Sequence, residues 1–174
     1  AVDGSGNIYI IGWTEVVSWQ GDGGANPIHG HSGGEEIVVV KLNSNGVYQW
    51  HTFYGSSSRD HGYNIAVDGS GNVYITGWSE GSWQGDGSAN PLHAHSGGSD
   101  ILVLKLNSNG AYQWHTFYGS SGYDYGLAIA LDGSGNVYVT GFSKGSWQGD
   151  GGRNPLHPYS GGDDIVVIKL NSNG

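Results

Sequence analysis

The sequence contains no cysteine and no methionine, and only four prolines among its 174 residues. Without thiols there is no disulfide framework and no thiolate metal site, and the compartment stays open. The missing methionine includes the initiator, and the repeats described below break off within a unit at both ends, so a processed chain or an excerpt from a longer one is expected. Cations are scarce as well: six Lys plus Arg stand against fifteen Asp plus Glu, a formal net charge of −9. With no basic run, neither a nucleic-acid backbone nor an anionic membrane is an expected partner. No apolar run approaches the roughly 20 residues that span a bilayer, and no charged-then-apolar leader opens the chain, so membrane insertion is not expected.

What is abundant is glycine, tyrosine and tryptophan: 34 Gly, 11 Tyr and 7 Trp, within an apolar content of only 36%. Glycines at regular positions between short apolar runs make a turn-rich β composition rather than a disordered one. The regularity comes from repetition. Ala66–Gly110 and Ala130–Gly174 align over 45 positions without a gap, and 34 are identical; Ala1–Gly46 is a third copy carrying one extra residue between Trp13 and Trp19. We divide the chain into tandem repeats 1–65, 66–129 and an incomplete 130–174, and look for function per repeat.

Within the second repeat, Gly62–Asp68 is a small-residue apolar run ending in the turn formers Asp68-Gly-Ser-Gly-Asn72. Val73–Trp78, Asp100–Leu106 and Ala111–Gly119 alternate and are rich in β-branched and aromatic residues. Four strands a to d result. The a–b and c–d links are short turns suited to antiparallel hairpins, whereas b–c carries the long insert Ser79–Ser99. In an up-and-down sheet, alternate connections fall on opposite edges. The inserts are therefore expected to share one face, and the DGSGN and NSNG turns the other.

A four-stranded meander in tandem, with a small-residue first strand, describes a blade of an all-β propeller. The string Tyr118–Gly141, followed after the insert by Gly161-Gly-Asp-Asp-Ile-Val-Val-Ile-Lys-Leu-Asn171, resembles the SBBP beta-propeller repeat. The resemblance extends over every repeat and departs in the b–c insert, where Ser-Trp-Gln-Gly-Asp-Gly with Asn-Pro-Leu-His replaces a shorter segment. It implies a β-propeller of four-stranded antiparallel blades and an extracellular or cell-surface location, and it transfers no catalytic residues.

The insert supplies the candidate ligand-binding residues: Trp19, Asp22, Asn26 and His29, then Trp83, Asp86, Asn90 and His93, then Trp147, Asp150, Asn154 and His157. An indole can stack on a pyranose face while short polar groups fix its hydroxyls. The competing reading is packing: the Trp plugs the loop onto its own or the next blade, and Asp and Asn cap turns. His29 and His31 with Glu35 and Glu36, or His93 and His95 with Asp100, have metal-ligand chemistry, but His157-Pro-Tyr159 loses the second imidazole, so no repeated transition-metal site is expected. No cofactor is expected; weak calcium binding by the insert's Gly-Asp-Gly and by Gly161-Gly-Asp-Asp164 is the one alternative. Gly30-His-Ser32-Gly-Gly34 spells a nucleophile elbow without the helix that motif needs. His51 and His115 fall on strand d, where a packing role is expected.

Near-identical repeats argue against an enzyme, which needs unlike residues converging on one pocket. The expected function is a non-catalytic scaffold for self-assembly or for interaction with proteins or surfaces. A lectin-like propeller with one weak glycan site per blade is the alternative. Expected partners are other copies of the chain or its own continuation, and possibly glycans on the lectin reading.

Overall fold

The computed structural model describes residues 1–15 and 17–174. Ten strands form three antiparallel sheets. The first holds β1 (Ile8–Thr14), β2 (Glu36–Leu42) and β3 (Tyr48–Tyr54); the second β4 (Asp60–Val67), β5 (Val73–Ser79), β6 (Asp100–Leu106) and β7 (Tyr112–Tyr118); the third β8 (Asp124–Leu131), β9 (Val137–Ser143) and β10 (Asp164–Leu170). Each sheet is a meander in chain order. The middle sheet shows the four strands read from the sequence; its flanking sheets have three each.

Hairpin chemistry sets the register. In Asp68-Gly-Ser-Gly-Asn72 the Asp68 carboxylate accepts from the amides of Ser70 and Asn72 and from the Asn72 side chain, while Gly71 adopts φ +81°. Asp3 and Asp132 do the same in their copies. A carboxylate that satisfies two turn amides pins the residue where the strand reverses.

The sheets stand side by side, with strands β4 and β8 packed on their predecessors. A side chain at Gly62 would strike Ile11 at 2.6 Å and Ile37 at 3.1 Å, and one at Gly126 would strike Thr76 and Ile101. Glycine here permits close approach of a strand to the preceding sheet. Two further links recur one repeat apart. Lys41 Nζ donates to Ser108 O at 3.0 Å and Lys105 Nζ to Ser172 O at 2.9 Å. The core is accordingly the sandwich between sheets, with Ile37, Val39, Ile75, Ile101, Val103 and Phe117 fully buried or nearly so.

The inserts are ordered. Each carries a one-turn 3-10 segment (Asp22–Gly24, Asp86–Ser88, Asp150–Gly152), a feature the sequence reading did not include. Each of the first two then runs along the outermost strand of its own sheet: Ile28 N donates to His51 O and Phe53 N to His29 O, and Leu92 and His93 pair with β7 in the same way. An outer strand so covered offers no open ladder.

Candidate functional site

The first two insert tryptophans sit on the buried histidines of the outer strand, whereas Trp147 donates from Nε1 to Ser143 Oγ at 3.1 Å and meets Tyr118 at 5.9 Å. Trp83 stacks on His115 with ring centroids 3.8 Å apart and planes 4° from parallel; Trp19 and His51 repeat this at 4.0 Å and 5°. The His115 Nε2–H donates to Trp83 O at 3.2 Å, so Nδ1 is free to accept from the Tyr112 hydroxyl at 2.7 Å. Both ring nitrogens are satisfied in the neutral tautomer, and burial pushes the imidazole down to about 4. Phe117 meets both rings edge-on. Trp83 is 7% exposed and Trp19 37%.

The remaining insert residues join across repeats rather than within one. Asp86 reaches back to the first sheet, where the Tyr54 hydroxyl lies 3.2 Å from both carboxylate oxygens. His29 stacks on Tyr54 at 4.8 Å, its Nδ1–H donates to Phe53 O, and its Nε2 stands 3.9 Å from Asp86 Oδ1. Tyr118, His93 and Asp150 form the next copy, with Tyr118 donating to Asp150 at 3.0 Å. Burial and the neighbouring carboxylate push the Tyr118 phenol up to about 12, and Tyr54 upward for the same two causes. Gln20, Gln84 and Gln148 each donate to the Asn six residues on, Asn26, Asn90 and Asn154, which closes the insert turn. His157 and Leu156 lie at the open side of the third sheet, Leu156 fully exposed.

Two constellations escaped the sequence reading. A serine precedes an acid by four residues at Ser32/Glu36, Ser56/Asp60, Ser96/Asp100, Ser120/Asp124 and Ser160/Asp164, and each carboxylate accepts from that serine's amide and hydroxyl. The loops pair in parallel, Glu35 with Arg59 and Ser99 with Tyr123, so that acids from adjacent sheets meet. A methyl at Gly119 would lie 2.6 Å from Asp100 Oδ1 and 2.8 Å from Asp124 Oδ2. Burial, opposed by the serine hydrogen bonds, raises the Asp60 and Asp100 carboxyls. The recurring four-residue spacing was the available signal. Of the candidate metal ligands, Glu36 Oε1 accepts from Ser32 and Gly33, Glu35 pairs with His61 and His95 with Ser79 O, while His31 Nε2 and Glu36 Oε2 are buried without a hydrogen-bond partner. Among the described residues no group of three or more His, Asp or Glu could hold a metal ion.

The second is a belt of rings. Trp13, His61, Trp78, Tyr125 and Phe142 follow one another at 4.4, 4.4, 5.2 and 4.9 Å, in strands β1, β4, β5, β8 and β9 in turn. Arg59 lies over Trp78 and forms a bidentate pair with Glu80.

Residues 49–82 and 113–146 both match the model of SBBP, described as a beta-propeller repeat. Two segments of the chain are thus similar to that repeat. Each matched SBBP segment starts in an outer strand, crosses the paired loops and ends after the following hairpin, so it contains the junction between sheets. The sequence is also 28% identical over 151 residues to an uncharacterized WD repeat-containing protein of Acanthamoeba polyphaga mimivirus, covering 81% of this chain and 10% of that protein. It is 27% identical over 171 residues to the regulatory protein FlaEY of Caulobacter vibrioides, covering 97% of this chain and 17% of that protein. The chain thus spans a small part of the length of these curated relatives.

Proposed function

We propose that the chain is a non-catalytic scaffold of β-propeller blades, four strands each when complete, that docks further repeats or other proteins, in an extracellular or surface setting. The observation that carries this reading is the recurrence of the inter-sheet contacts one repeat apart. Ile165 and Val167 of β10 are 83% and 73% exposed, whereas their counterparts Ile101 and Val103 are fully buried beneath β8 and its neighbours. They line a cleft of about 860 Å³ with Trp147, Leu156, His157 and Lys169. At the first sheet a side chain at Gly46 would meet nothing within 4 Å, while Gly110 is covered by Ile28 and Trp50. An uncovered apolar face of this kind marks an interaction surface.

The extracellular setting is supported by the resemblance of the repeats to a family of mostly secreted and surface proteins. Against the lectin alternative, the Trp83 indole has His115 on one face and Tyr54 stacked 6.0 Å away, which leaves a pyranose no free platform. Sedimentation across a concentration series tests the scaffold reading. Association above 18.3 kDa that Ile165→Asp abolishes is the expected result. A particle of 18.3 kDa at every concentration, with no partner captured on β10, would count against it.

A further inference from the structure

The two junctions between sheets share a backbone and differ in charge. In both, the residue before β2 or β6 bridges in parallel to the loop that enters the next sheet, Glu35 to Arg59 and Ser99 to Tyr123. At the first junction Glu35 pairs with His61 of β4, the two side chains being 25% and 13% exposed. Arg59 stands beside Glu35 in the bridge and forms its bidentate pair with Glu80. The second junction replaces each of these groups. Ser99 stands where Glu35 does, fully buried and with its hydroxyl lacking a hydrogen-bond partner, while Tyr125 replaces His61 and Tyr123 replaces Arg59. The cation has changed sides: Lys144, at the position of Glu80, lies over the Tyr123 ring at 6.0 Å and 3.5 Å from Asp163. The rings differ too. His61 lies flat on Trp13, with planes 11° from parallel, whereas Tyr125 meets Trp78 and Phe142 edge-on. The parts common to both junctions do not tell one repeat from another. Gly62 and Gly126 permit the same close approach, and Asp60 and Asp124 take the same serine hydrogen bonds.

We propose that Glu35 and His61 decide which repeat docks on which: they admit β4 to the first sheet and disfavour β8, whether that strand comes from this chain or from another copy. Selectivity is the difference between matched and mismatched arrangements. With β8 on the first sheet, Glu35 would meet Tyr123 and Tyr125 in place of Arg59 and His61. With β4 on the second sheet, His61 and Arg59 would face Ser99, which carries no charge. A partly buried carboxylate stripped of its partner costs more than the intact pair contributes. The pair therefore acts chiefly by penalising the wrong neighbour. This inference rests on the scaffold reading of docked repeats and supplies the rule that orders them.

The test is a pair of double-mutant cycles on the whole chain, read by denaturant unfolding at one pH. Glu35→Ser and His61→Tyr give the first junction the residues of the second. Each alone should raise the ratio of unfolded to folded protein about tenfold, and the double variant should fall at least about threefold short of their product. The second cycle runs the other way. Ser99→Glu buries a carboxylate with no matching base; adding Tyr125→His to it should then cost at least about threefold less than Tyr125→His costs in the parent. Side chains that only pack would give no such coupling of charge, and the second cycle decides where His61→Tyr leaves too little folded protein to measure. Coupling in the measured cycles supports the proposal; independent effects in either one overturn it. Sedimentation of the parent reports on the scaffold reading alone, so the two readings fail separately.

Discussion

Acidification should weaken the protein through His115. Its imidazole is fully buried, stacked on Trp83, and hydrogen-bonded at both nitrogens in the neutral form. Protonation would bury an unpaired charge, and burial accordingly lowers the group from 6.5 to about 4. In the unfolded chain the ring returns to its ordinary value, so between these limits the unfolded state holds the extra proton. Stability from this group is complete above pH 6.5 and falls as pH drops toward about 4. At about 1.4 kcal/mol per decade of proton affinity, the loss is roughly 3 kcal/mol. Asp60 and Asp100 act in the opposite direction, because their raised carboxyls bind protons more readily when folded. The slope of the parent is therefore a difference, and a variant must isolate the histidine. His115→Phe keeps a ring on Trp83 and leaves every carboxylate in place; its cost from the unpaired Trp83 carbonyl and Tyr112 hydroxyl does not depend on pH in this window. Equilibrium denaturant unfolding of both proteins across the window should show their stabilities converging by about 3 kcal/mol as the medium is acidified. Parallel curves would refute the reasoning.

Trp83→Ala removes a buried indole lodged between His115, Phe117 and Tyr54 and should cost about 3–5 kcal/mol in denaturant unfolding. A stable variant would mean that the insert does not rest on its tryptophan. Gly119→Ala places a methyl against Asp100 and Asp124 and should cost about 1–3 kcal/mol in thermal or chemical unfolding, whereas Gly133→Ala, which meets nothing within 4 Å, should stay within about 0.5 kcal/mol. Equal effects would show that the paired acids tolerate displacement.

The strands were legible because their signals are local. Asp100–Leu106 alternates and is bounded by turn formers, and it forms β6 at those residues. The first strand begins at Asp60 rather than Gly62, since Asp60 is fixed by Ser56 and Ser79 and pairs opposite Ser79 before the glycine is reached. The insert was legible as a loop rich in aromatic and polar residues, but its geometry was not. Asp86 finds Tyr54 32 residues away in a different sheet, and no periodicity announces that distance. The ring belt was hidden for the same reason, because Trp78 and Tyr125 belong to neighbouring sheets. The stacking of Trp83 on His115 needed knowledge that the insert returns along its own outer strand.

That return path has a consequence for synthesis on the ribosome. Near-identical tandem segments emerging one after another risk pairing with the wrong neighbour, and an outer strand left open is the place where this begins. Here the covering segment precedes the strand it protects: Leu92 and His93 are already synthesised when β7 appears, and they bond to it across only 23 or 24 residues. The outer edge is shut by residues of the same repeat before the next repeat has left the tunnel. Order of emergence thus favours the native partner, and repeats of almost the same sequence can follow one another without competing for it.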